Sequence, residues 1–191
     1  MLRPSRAGRW ISIALVLAAL VLPRAVEAQP LRFRIQPEAS EITFRATSRV
    51  MNADGHFSRF SGDVTVDPAV LTSGRITLTI DAASLDTGIE MRDNHLRSSD
   101  FFDVARFPTV AFQSVRIEAA GRRATVVGRL TLHGVTREIA VPIDVQITNT
   151  ALVASGEFIV NRGEYGINYN SFVNPIGNEV RVAFTFRARV P

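Results

Sequence analysis

Ile139-Ala140-Val141-Pro142-Ile143-Asp144-Val145-Gln146-Ile147 places a branched aliphatic residue at every second position, and Val180-Arg181-Val182-Ala183-Phe184-Thr185-Phe186-Arg187 continues the pattern with aromatics. A period of two belongs to a strand with one buried and one wet face, whereas a helix would need 3.6. Leu31-Phe33-Ile35, Ile42-Phe44-Ala46, Phe60-Gly62-Val64-Val66, Ile76-Leu78-Ile80 and Val126-Gly128-Leu130-Leu132 alternate in the same way. Between Val110 and Ile117 the phase slips, and a bulge near Gln113-Ser114 restores it. Asp67-Pro68, Thr72-Ser73-Gly74, Ala120-Gly121-Arg122-Arg123 and His133-Gly134-Val135-Thr136 read as tight turns. Eight or nine antiparallel strands with short connections predict a closed barrel or a sandwich in a single domain.

One segment breaks the rule. In Asp86 to Asp103, Ile89, Arg92, Asp93 and Leu96 fall at helical spacing and Ser99 can cap a second turn before Phe101-Phe102. Two short helices are expected there, with Asp93 and Arg97 as an i, i+4 ion pair.

Residues 1–28 have a different character. Arg3, Arg6 and Arg9 precede a thirteen-residue run from Trp10 to Leu22 that only Ser12 interrupts, and Ala25-Val26-Glu27-Ala28 offers a small-residue cleavage site. This is the pattern of a secretory leader cut after Ala28, and thirteen residues fall short of the ~20 that a membrane-spanning helix needs. The arginines are separated, so general secretion is the expected route, with a periplasmic or secreted product. The mature domain would then be 29–191.

The leader also carries much of the charge. Of 191 residues, 22 are basic, all of them arginine, against 18 acids. Setting aside the four arginines and one glutamate of 1–28 leaves 18 against 17. A near-neutral chain without basic runs or zinc-finger spacing is not expected to bind nucleic acid. The chain has no cysteine, so no disulfide, thiolate metal site or thiol nucleophile can form. His56, His95 and His133 stand apart, no metal pair of the HxxxH type occurs, and no G-x-S-x-G elbow or phosphate loop is present. The abundant aspartates sit where capping is their usual role. The expectation is a binding protein, with no enzyme activity and no metal. A transmembrane barrel would show the same alternation, but the mature part has no Trp and only Tyr165 and Tyr169 to build aromatic girdles.

Several motifs fall in a specific order: Phe60-Ser61-Gly62; Thr79-Ile80-Asp81 with Ser84 and Thr87-Gly88; Arg92-Asp93-Asn94-His95-Leu96 followed by Asp100-Phe101-Phe102-Asp103 and Phe107-Pro108; Gly128 to Thr136; and Asn161-Arg162-Gly163-Glu164-Tyr165-Gly166. In these the chain resembles the YceI-like family of secreted polyisoprenoid-binding proteins over nearly the whole mature part. The resemblance implies an all-β fold, an eight-stranded antiparallel lipocalin-like barrel with a short helical insert at about 84–103, and an apolar interior that holds an isoprenoid chain. Ala39-Ser40 stands where relatives tend to have His-Ser, and Ser48 where many have His, so no head-group role for those histidines carries over.

On that reading the expected apolar lining is Phe44, Phe60, Ile76, Leu78, Ile80, Met91, Leu96, Phe101, Phe102, Phe112, Leu130, Phe158, Tyr165, Phe184 and Phe186. The expected head-group contacts are Arg92, His95 and Arg49, with Arg97 and Arg59 as further candidates, because a guanidinium fork pairs well with diphosphate. The expected partner is a polyprenyl phosphate or quinone, with transient membrane contact and no cofactor beyond the lipid. A fatty acid or amide in a stress-response role is the alternative. Composition does not distinguish a filled barrel from a hollow one, nor does it fix the oligomeric state, a dimer included.

Overall fold

The computed structural model describes residues 30–191; the expected leader and cleavage site lie outside them. Eleven strands form one antiparallel sheet: β1 (Leu31–Ile35), β2 (Glu41–Ser48), β3 (Ala53–Phe57), β4 (Phe60–Asp67), β5 (Val70–Asp81), β6 (Leu85–Asp86), β7 (Thr109–Ala120), β8 (Arg123–Leu132), β9 (Val135–Ile147), β10 (Ala151–Asn161) and β11 (Ile176–Arg189). The order β1-β4-β5-β7-β8-β9-β10-β11 closes where Ile35 pairs with Ala188. Those eight strands make the barrel.

β1 and β2 lie end to end along β11, and β3 and β4 run end to end beside them. Each pair is one long stave with a break. At the first break Pro37–Ala39 forms a 3-10 turn, and Ser40 repairs the ladder: its hydroxyl accepts the Arg187 N–H at 2.9 Å and donates to the Arg187 carbonyl. β6 is a two-residue extension on β3.

The alternating runs form strands because their apolar faces meet across the lumen. Phe33, Ile42, Val64, Val126, Val141 and Leu152 are buried. The outer face carries Arg32–Asp63, Arg45–Asp54, Arg116–Glu138 and Arg181–Glu157 ion pairs. Exposed pairs of this kind add little to stability because solvent screens them, but they show which face is wet. A charged exterior is opposite to the apolar band of a membrane barrel.

In β7 the register shifts between Ser114 and Arg116, making Val115 the extra residue of a bulge, which returns Ile117 to the inner face. The bulge has a second consequence. β5 pairs with β7 only from Thr77 to Asp81, and the Ser114 hydroxyl takes the next N–H, that of Ile76, at 2.8 Å. His133 and Gly134, with φ of 51° and 74°, make the two-residue β8–β9 turn, as a primed hairpin turn requires.

Thr72-Ser73-Gly74 is not a turn. It lies within β5, because the reversal is completed at residues 68–69 and Gly74 is used for close packing: a Cβ there would come 2.7 Å from Ile117 Cδ1.

The insert contains one α-helix, α1 (Glu90–Arg97), where two were expected. The second does not form because Ser98 ends α1 and Asp103 takes φ 46°. The Phe101 and Asp103 N–H groups both return to the Ser98 carbonyl. This compact turn directs Phe101 and Phe102 toward the barrel, which a continuing helix could not do for two adjacent residues.

Candidate functional site

The lumen has two chambers. The chamber at the base, near the turns at 68–69, 121–122 and 148–150, has a volume of about 140 Å³ and is lined only by apolar residues, among them Ile76, Leu78, Phe112, Ile117, Phe184 and Phe186. The chamber at the mouth has about 390 Å³ and carries Phe44, Leu96, Phe101 and Phe102 together with Arg92, His95, Arg162 and Tyr169. Ile42, Ile80, Val110, Leu130, Phe158 and Val182 border both, so the two chambers adjoin at this ring of side chains. The mouth chamber alone is within the roughly 300–1,000 Å³ of small-molecule sites.

The barrel is hollow because inward-facing glycines seat the large side chains of neighbouring strands. A Cβ on Gly128 would lie 2.3 Å from Phe112 Cζ, and one on Gly156 would lie 2.9 Å from Phe184 Cζ. Gly55 does the same for Phe44 and Gly62 for Ile35. Each of these side chains lies against the wall instead of crossing the lumen. A glycine in a strand interior weakens it, and close approach of a neighbour is what such a residue allows.

The mouth is framed by α1, by the 48–53 turn and by the 162–175 segment. Arg92 spans it. Nε donates to Thr87 Oγ1 at 2.8 Å, Nη2 to the Thr87 carbonyl at 2.9 Å, and Nη1 to the Asn52 carbonyl at 3.2 Å. Asp93 turns the other way and is buried, accepting the Thr87 N–H and hydroxyl. The expected Asp93–Arg97 pair is therefore absent; Arg97 instead donates to the Ala83 and Leu85 carbonyls, anchoring α1 to the chain before it. His95 pairs with Asp100 at 2.9 Å and places its ring edgewise on Phe101 and Tyr169.

Arg162 escaped the sequence reading. It is only 6 % exposed, and its guanidinium donates to the carbonyls of Gly177 (3.0 Å), Ile167 (2.8 Å), Tyr169 (2.7 Å) and Ile176 (3.1 Å). Among the described residues no carboxylate pairs with it. Burial pushes its pKa below the ordinary value. A hint was available: apolar alternation in β10 stops at Val160, and Asn161-Arg162 follows where a strand would have turned. With Arg92, it gives a mouth chamber that has two guanidiniums and no carboxylate among its lining residues.

Six expected site residues are elsewhere. Met91 is 81 % exposed in the first turn of α1 and borders neither chamber. Tyr165 is only 2 % exposed, fixed in the 3-10 turn Arg162–Tyr165, where His133 Nδ1 hydrogen-bonds its carbonyl at 3.1 Å. It serves the core, and burial pushes its phenol upward. Phe60 is buried against Phe186, ring centroids 5.9 Å apart, and borders neither chamber. Arg49 is exposed on the 48–53 turn outside the lining. Arg59 is also outside, paired with Asp81 at 2.7 Å. Arg97, held by the Ala83 and Leu85 carbonyls, borders neither chamber. The remaining expected residues border one chamber or both. Among the described residues no group of three His, Asp or Glu could hold a metal ion.

Comparison with known proteins agrees with this architecture. A UPF0312 protein of Shewanella baltica is 33% identical over 130 residues, 67% of this chain and 68% of its own. The crystal structure of Burkholderia cenocepacia BcnA superposes with a TM-score of 0.75 at 26% identity, covering 80% of this chain and 98% of that one. A polyisoprenoid-binding domain from Saccharophagus degradans gives 0.69 at 21% identity, covering 84% and 99%. The model of the YceI-like domain matches residues 33–188, and the chain therefore belongs to the YceI-like family.

Proposed function

We propose that the protein binds a long-chain isoprenoid lipid, of polyprenyl phosphate or quinone type, with the tail in the base chamber and the head in the mouth chamber. The observation that carries this is the step in polarity between the chambers: the base has no polar lining residue, while the mouth is lined by Arg92, His95 and Arg162 and by no carboxylate, Asp100 pairing with His95 from outside the lining. An amphiphile with an electron-rich head fits in one orientation only. Phe112, Phe158, Phe184 and Phe186 provide aromatic walls for an unsaturated tail, and the Saccharophagus degradans neighbour is described as polyisoprenoid-binding.

Energetics favour exchange over trapping. Burial from water is worth about 0.8 kcal/mol per CH₂, but an isoprenoid in a bilayer is already out of water, so transfer to the lumen is near neutral in hydrophobic terms. Head contacts and shape decide the partition, which suits a carrier with no chemistry of its own. The leader-like pattern of residues 1–28 supports a periplasmic or secreted setting for this activity. The test is extraction of protein purified from its own host, with mass-spectrometric identification of the lipid. A prenyl lipid in stoichiometric amount is expected, and a straight-chain fatty acid or amide would replace this reading with the other amphiphile class.

A further inference from the structure

We infer that the mouth docks on a phospholipid bilayer through the joined tips of the 48–53 turn and the 170–175 loop. This rests on the lipid-binding reading above and adds the surface at which the lipid is exchanged. Val50, Met51, Phe172 and Val173 project from these two tips with exposures of 72, 60, 99 and 79 %. Across the mouth Met91 does the same from α1. The other exposed large apolar residues, Val70, Ile89, Val115, Ile159 and Val190, are none above 54 %. The apolar projections are thus concentrated at one end of the barrel, the end where the chamber opens.

The tips are built to present these side chains. The Val50 N–H donates to Asn174 Oδ1 at 2.8 Å and the Arg49 N–H to the Pro175 carbonyl at 3.1 Å, stitching the two loops together. Ser171 and Asn170 hold the second loop from within, accepting the Asn174 and Ile176 N–H groups. Backbone donors are therefore satisfied locally while the apolar side chains are left in solvent, at a cost that water makes larger than a lipid interface would.

Charge and continuity point to the occupant. Residues 48–53 and 170–175 contain one charged side chain, Arg49, and no acid, which complements the phosphates of an anionic or zwitterionic leaflet. Met51, Ser171 and Asn174 also border the mouth chamber, so an inserted tip brings the lumen opening onto the membrane without an aqueous gap. Separate projecting side chains on loop tips suit insertion among head groups, whereas a protein partner calls for a closely packed, flatter patch.

The test is flotation of the processed, exported protein with phosphatidylethanolamine–phosphatidylglycerol vesicles. The Phe172→Ser/Val173→Ser double variant should lose at least about tenfold in bound fraction, and Arg49→Glu should weaken binding while leaving the apolar tips intact. Both variants should load isoprenoid from detergent micelles as the wild type does. Flotation unchanged in the double variant overturns the docking surface even if loading is normal. A wild type that floats but loads nothing from micelles overturns the lumen reading instead. A wild-type dimer in sedimentation that the double variant dissociates assigns the patch to a second copy and also overturns the proposal.

Discussion

The Phe112 ring lies directly over Gly128: a Cβ at position 128 would be 2.3 Å from the ring's Cζ and 2.7 Å from the Gln113 carbonyl oxygen. Neither neighbour can yield cheaply, because one is a ring held in the barrel wall and the other is backbone. Gly128→Ala should therefore destabilise by about 1–3 kcal/mol and push the ring into the base chamber. Thermal denaturation checks the first effect, and loss of lipid capacity at temperatures where the variant remains folded checks the second. An unchanged melting temperature would show that the wall gives way more easily than the geometry indicates.

Arg162 holds four carbonyls at once. Arg162→Met keeps much of the volume but leaves buried acceptors unpaired, at about 3 kcal/mol or more in total. Lysine, with a point charge in place of a planar fork, should rescue little. Urea denaturation midpoints give the comparison, and a loss below about 1 kcal/mol would mean that water replaces the guanidinium.

Tyr165 supplies a pH signature. Burial, with the neighbouring Glu164 charge adding to it, raises its phenol above the ordinary 10.0. The unfolded phenol ionises first as pH rises, so its contribution is intact below about pH 10 and is lost as pH climbs through the folded value. Tyr165→Phe should match the wild type's pH dependence from neutrality to pH 9 and lose less stability above pH 10. Parallel melting curves over the whole range would contradict this.

Arg92 has a double role, since it bridges the mouth to Asn52 and also borders the chamber. Arg92→Ala should weaken retention of a prenyl diphosphate more than that of a quinone, whose head requires no cation. Competitive loading of both lipids measures the ratio, and equal losses would reduce Arg92 to a structural latch.

The barrel was legible because alternation is a one-dimensional record of which face is buried: Ile139 to Ile147 and Val180 to Phe186 fixed the strand pattern, and the slipped phase near Ser114 located the bulge. The site was less legible, for physical reasons. Met91 and Phe102 are both apolar residues of the insert, but one projects from the rim and the other lines the lumen; composition contains no information about that difference. Tyr165 follows a strand end in a 3-10 turn, where period-two reasoning no longer indicates direction. Arg162 entered only as part of the motif shared with the family, because its four partners are backbone carbonyls, which no side-chain pattern reveals. The glycines that keep the lumen open could be read only once their cross-strand neighbours were known.

A lipid in the lumen requires the base chamber to be open. Ala154 borders the base chamber, and Ala154→Trp would fill most of its roughly 140 Å³. Native mass spectrometry of both proteins, purified from the host under identical conditions, tests this most directly. One bound isoprenoid is expected on the wild type and none on a folded Ala154→Trp variant. A wild type without lipid, or a variant that retains it in full, would show that the lumen is not the binding site.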